Sequence, residues 1–233
     1  MVEAFQSNVL RQKLIEVAGQ RKQLEATREN SKELWNALRK SEIDVAKIAI
    51  GLMRERLAEI TVSNIEGKLL EHNVKKEIIN SIIVIKTDTG VKVGAAADLE
   101  NFKEIDPIIK SIIKDAGREA RGDVLKEIVG VGLDLCIGRI YSELIGIAQV
   151  GTLQEFRGLF ELKQDGRYFY LKSNFSKGPK GLKGNKEVRR VTDMVYSHIL
   201  ETYFKPILGL VLENSGNLKY TSMCTKPEGD FSL

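Results

Sequence analysis

Leu10, Val17, Leu24, Leu38, Val45 and Leu52 recur at intervals of seven, with polar Ser31 filling the one missing step. That beat predicts helix through residues 3–60. The positions three residues after each are polar at Lys13, Gln20 and Thr27 and apolar at Leu34 and Ile48. A free-standing coiled coil requires two apolar stripes. The first half is therefore expected to lie against its own domain, with a helix used for oligomer contacts as the alternative. Asn30, followed three residues on by Glu33, has the form of a capping pair and predicts a break near residue 30.

Next the pattern turns β-branched. Ile82–Lys86 and Val91–Val93 flank Thr87, Asp88, Thr89 and Gly90, which predicts a hairpin. Asp106-Pro107 predicts a helix start, with the aspartate as N-cap and proline in the first turn, ending near Gly117. Residues 123–149 read as a buried helix containing Gly130, Gly132, Gly138 and Gly146. Each interior glycine costs up to about 1 kcal/mol relative to alanine, a loss that close approach of another helix offsets.

GLFELKQDGRYFYLKS, residues 158–173, predicts a second hairpin around a two-residue Asp165-Gly166 turn. In that register Leu162 faces Phe169 and Phe160 faces Leu171, while Glu161 faces Tyr170 and Lys163 faces Tyr168. Val188, Val191, Val195 and Ile199 then form one helical stripe, with Pro206 expected to kink or end that helix. The order predicts an α+β fold, predominantly helical, with two β-hairpins and a long N-terminal amphipathic helix. Its expected parts are a helical region at 1–60, a body at 61–213 with hairpins near 81–94 and 158–173, and a polar tail at 214–233.

Composition changes this picture little. The 233 residues are 42% hydrophobic with net charge +4, as in ordinary globular chains. The N-terminus shows no signal-peptide pattern, and Lys126, Glu127, Asp134, Arg139 and Glu143 interrupt the most apolar stretch, which argues against a membrane span. Cys136 and Cys224 have no metal-ligand spacing and are expected to be reduced.

Charge distribution says more. Within KGPKGLKGNKEVRR, residues 177–190, Lys177, Lys180, Lys183, Lys186 and Arg189 fall every third residue beside Arg190, and Gly178, Gly181 and Gly184 keep the same beat. An extended chain with three residues per turn would align these cations along one edge, about 9 Å apart. Such an edge suits DNA phosphates or an acidic groove on a protein partner; a mobile solvated loop is the third reading.

Catalytic chemistry finds thinner support. Glu161 and Lys163, two apart on a predicted strand, share a face as in restriction-type nucleases. The nearest earlier aspartate, Asp134, lies on the predicted buried helix, and one carboxylate rarely holds magnesium. A solvated strand face is the simpler reading. His72 and His198 fit no ligand motif, GVGLDL lacks the third glycine and preceding strand of a dinucleotide fingerprint, and Trp35 reads as a packing anchor. Neither a cofactor nor a metal is expected.

One resemblance adds to this. KKEIINSIIVIKTDTGVKVGAAAD, Lys75–Asp98, follows a long basic-acidic helix, and its Ser81-Ile82 and Val91-Lys92-Val93-Gly94 strands resemble the tail-completion or neck proteins of tailed bacteriophages. The chain is longer than such proteins typically are and lacks their proline-threonine-glycine segment before the first strand. The resemblance implies a ring-forming, non-enzymatic head–tail connector, hence a homo-oligomer touching neighbouring structural proteins in a virion assembled in the host cytoplasm. The alternative is a nucleic-acid-binding protein, in one form a metal-dependent nuclease using Glu161 and Lys163.

Overall fold

All six apolar heptad positions are buried, and they lie on two helices, α1 (Val2–Thr27) and α2 (Lys32–Glu71). The computed structural model describes residues 2–27, 31–95, 102–165, 168–215 and 219–222. The second stripe falls four residues after the first, not three: Leu14, Arg21, Glu42 and Ala49 occupy it, while Lys13, Gln20 and Leu34 are exposed. Ser31 starts α2, accepting from Leu34 N at its Oγ (3.5 Å) and from Trp35 N at its carbonyl (3.2 Å). The expected cap Asn30 lies outside the described residues. α2 continues past residue 60 because Leu57, Ile65 and Leu69 prolong its buried face.

The remaining elements are α3 (Lys76–Ile79), β1 (Ile82–Thr87), β2 (Gly90–Ala95), α4 (Phe102–Leu144), α5 (Leu153–Arg157), β3 (Phe160–Asp165), β4 (Tyr168–Ser173), α6 (Lys186–Ile199), α7 (Lys205–Ser215) and β5 (Lys219–Ser222). The fold is α+β and predominantly helical, with the two antiparallel hairpins β1–β2 and β3–β4. Two compact units divide the chain, the first comprising Met1–Gln6, Lys47–Val124 and Val211–Leu233, the second Ser7–Ala46 and Leu125–Leu210.

The first unit carries the expected hairpin around Asp88-Thr89, with Thr87 opposite Gly90. Val91 and Val93 of β2 are buried among Leu57, Leu69, Ile105, Ile109, Ile113 and Ala116. β5 falls in the stretch read as a polar tail and pairs parallel with β2, giving the order β1–β2–β5. Arg121 donates to the Ser215 carbonyl (3.3 Å).

α4 departs from the sequence reading. Asp106 is inside it rather than at its cap, ion-paired with Lys110 at 2.6 Å, and Pro107 falls in its second turn. The helix does not stop at Gly117, because Ile113, Ala116, Ala120, Val124 and Ile128 bury one unbroken face. Burying each large side chain is worth about 1.5–3 kcal/mol, more than an interior glycine costs.

In the second unit the β3–β4 register differs from expectation. Leu162 pairs with Leu171, Glu161 with Lys172 and Asp165 with Tyr168, so the loop is 166–167, outside the described residues. A shift of two along β4 keeps the period-two faces, but of the two expected apolar pairs neither survives as read: Leu162 now stands opposite Leu171, Phe160 opposite Ser173 and Phe169 opposite Gln164. The observed register sets the carboxylate of Glu161 across from a lysine, a favourable cross-strand pair. Helix α6 buries Val188, Val191, Val195 and Ile199 as expected. The expected end or kink at Pro206 falls earlier: α6 ends at Ile199, a wide π turn follows at Leu200–Phe204, and Pro206 stands second in α7. Of the four glycines at 130, 132, 138 and 146, only Gly132 meets a close neighbour, the Phe204 ring. Trp35 is no core anchor; it is 39% exposed with the Arg21 guanidinium 5.8 Å from its ring centroid.

Candidate functional site: a folded basic platform

The six cations of 177–190 do not form an extended ladder. Lys177 ends a 3-10 turn (Phe175–Lys177), Lys180 and Lys183 sit in successive turns, and Lys186, Arg189 and Arg190 belong to α6. The reason lies in what the segment packs on. Phe175 stacks against Phe156 at 6.4 Å and meets Phe160 edge-on at 5.6 Å, and Asn174 N donates to the Leu159 carbonyl at 2.7 Å. These contacts hold the entrance to the segment against β3 and α5.

The glycine beat then has separate local causes. A Cβ on Gly178 would stand 2.8 Å from Leu159 Cδ1 and 2.9 Å from Leu182 Cδ1, so a side chain there would have to push both leucines aside. Gly181 (φ 106°) and Gly184 (φ 72°) adopt positive φ, where a side chain is strained. Between them Leu182 is 1% exposed and plugs the loop into the unit. Asn185 closes the arrangement: its Nδ2 donates to the Gly181 carbonyl (3.1 Å), and its Oδ1 accepts from Glu187 N (3.0 Å) and Val188 N (3.3 Å), capping α6. Leu182 and Asn185 are the residues that charge counting missed. The N-cap was legible, since an asparagine followed two positions later by an acid opens many helices.

All six cationic side chains are exposed. Arg190 is held by Glu187 through Nε (3.1 Å) and Nη2 (2.6 Å); this bond draws the Glu187 carboxyl below its ordinary pKa and raises that of Arg190. Lys180, Lys183, Lys186 and Arg189 have no ion-pair partner among the described residues. The segment thus presents four exposed cations without an ion-pair partner among the described residues, carried on a backbone shaped by these turns and by α6.

The nuclease residues are arranged differently. Glu161 and Lys163 share a face of β3, as read from the sequence, and pair with each other. The Lys163 hydrogen bond lowers the Glu161 pKa, with Lys172 and Lys177 adding to it. Asp134 is engaged by Arg11 (2.9 Å) and Arg157 (2.6 Å). Glu155 closes a capping box with Thr152, accepting from its backbone N at 2.8 Å. Among the described residues no three His, Cys, Asp or Glu side chains gather to hold a metal ion.

His198 Nε2 lies 3.5 Å from Glu25, beside the Tyr203 ring. His72 borders a groove of about 230 Å³ lined with Lys68, Glu71, Asp115 and Glu119. Cys136 is buried, and burial pushes its thiol up to about 12; Cys224 lies outside the described residues. Among the described residues no helix is long and apolar enough to cross a membrane.

No family model, curated protein or solved structure matches this chain.

Proposed function

We propose that the chain is a non-enzymatic structural component of a multi-subunit particle, of the phage neck or tail-connector kind that its first hairpin resembles. On this reading it is a homo-oligomer touching neighbouring subunits within a virion assembled in the host cytoplasm.

The observation that carries the reading is an apolar knob on the α4–α5 connection. Ile145, Ile147 and Leu153 are 59%, 48% and 47% exposed within nine residues. The connection is braced: Tyr141 Oη donates to the Gly151 carbonyl at 3.0 Å, and the Thr152–Glu155 box fixes the start of α5. Large apolar side chains held out to water by a braced turn suit burial against a neighbouring subunit. A groove of about 220 Å³ between α1 and α2, with Leu24, Leu34, Ala37 and Leu38 on its wall beside Gln20, Gln23 and Thr27, fits the same use.

Mass in solution and particle images test this. The full chain should form closed rings, and Ile145→Asp with Ile147→Asp should shift it to smaller species without lowering Tm. A chain that stays monomeric at high micromolar concentration sinks the reading.

A further inference from the structure

We propose that the platform of residues 177–190 grips the phosphate backbone of duplex nucleic acid without reading its sequence. This stands on a different observation from the apolar knob, and neither needs the other.

Two classes of partner attract a cationic surface, and the apolar content of that surface separates them. Protein partners draw their affinity from an apolar and aromatic centre, with charge at the rim. The large aliphatic side chains in 177–190 that would supply such a centre, Leu182 and Val188, are 1% and 0% exposed. What faces water is Lys180, Lys183, Lys186 and Arg189, with Lys177 beside them. A duplex needs nothing more. It offers one negative charge per roughly 1.7 Å of axis, and each neutralised phosphate releases counterions.

Three of those four cations are lysines, which act as point charges on phosphate rather than as bidentate readers of base edges. The α6 N-terminus adds no anion cradle of its own, because Asn185 already accepts from Glu187 N and Val188 N. The attraction comes from the side chains. Their backbone is fixed in advance by Gly178, Leu182 and Asn185, so the ordering cost of binding is confined to the cationic side chains.

The test uses the full chain and a labelled mixed-sequence DNA duplex of about 20 base pairs, titrated by anisotropy across roughly 50–200 mM NaCl. Binding should weaken linearly in log–log form with a slope near −3.6, about −0.9 for each of four phosphates. A second duplex of unrelated sequence should bind within about two-fold, since phosphate contacts carry no sequence information. Lys183→Gln should reduce the slope by about 1, and Lys180→Gln/Lys183→Gln/Lys186→Gln by about 3. Should the triple variant fail to fold, the single one carries the result.

An undetectable complex, a slope unchanged in Lys183→Gln, or poly-glutamate competing as well as duplex at equal charge would overturn the proposal. Mass measured in the same samples keeps the two readings apart. A monomer that binds DNA sinks only self-association, and rings indifferent to DNA sink only the phosphate contact.

Discussion

Arg21 on α1 and Glu42 on α2 form an ion pair in which the carboxylate side chain is only 2% exposed. Arg39 reaches its other oxygen at 3.6 Å. The pair occupies two positions of the second heptad stripe, where a coiled coil would carry apolar residues. Removing Arg21 leaves the buried carboxylate with only the longer Arg39 contact, so Arg21→Ala should destabilise by up to about 3–5 kcal/mol. Replacing both, as Arg21→Leu with Glu42→Leu, should bring stability to within about 1 kcal/mol of the parent or above it. Urea unfolding of both single leucine variants and their double completes the cycle; a null effect of Arg21→Ala would mean that water already screens the carboxylate.

Glycines in one helix should answer the same substitution oppositely. A Cβ at Gly132 would stand 3.1 Å from Cδ2 and Cγ of Phe204 and 3.2 Å from Leu200 Cδ2, whereas at Gly138 it would meet nothing within 4 Å. Gly138→Ala should therefore stabilise by about 0.5–1 kcal/mol through backbone entropy. Gly132→Ala forfeits that gain by pushing the buried Phe204 ring, for a net loss of about 1–2 kcal/mol. Thermal melts of the two variants decide it: equal shifts would mean that Phe204 yields freely.

Local patterns were the legible part of this fold. The heptad stripe, the β1–β2 hairpin and the α6 face each sit within a few residues of the signal that announces them. Failures came where a local signal favoured the wrong answer or the deciding partner was far away. Gly117 looked like a stop because its cost is visible in sequence, while the burial that outweighs it depends on α2, whose Leu57 Cδ1 would lie 3.8 Å from a Cβ there. The β3–β4 register was misread because two apolar pairs favoured the wrong one, while the period-two faces that a strand must satisfy survive a two-residue shift. Strand β5 pairs with β2, more than 120 positions away, and nothing in Lys-Tyr-Thr-Ser announces it.

The site was half legible in the same sense. Its charges stand in the sequence, but their three-residue beat describes the chain and not the surface. The beat arises from a steric need at Gly178 and positive φ at Gly181 and Gly184. Leu182 looked like filler between lysines, and only the fold reveals it as the plug.

Cys136 should behave as an inert core thiol. It is 0% exposed, and burial lifts its pKa from 9.0 to about 12. In Cys224→Ser, a thiol-disulfide reagent at pH 8 should give no fast phase until denaturant opens the fold, since the thiolate is the attacking species. Linkage has a definite sign. The folded state prefers the neutral thiol, so this contribution is complete below pH 9.0 and is lost as pH rises toward about 12. Prompt native labelling would contradict the burial.

The plug gives the last prediction. Leu182 touches the space that Gly178 keeps open, and the loop around it carries two trypsin sites, Lys180-Gly181 and Lys183-Gly184. Leu182→Ala should cost about 2–4 kcal/mol, the usual loss for a buried leucine. Gly178→Ala should cost about 1–3 kcal/mol by overpacking Leu159. Both should speed tryptic cleavage at these bonds relative to the parent chain, because the turn must leave its seat to enter the protease. Lys183→Gln, which removes one site and touches no plug contact, should leave cleavage after Lys180 as slow as before. If the parent is cut there as fast as the Leu182→Ala variant, the cations ride on a loose tether and the preshaped backbone is lost.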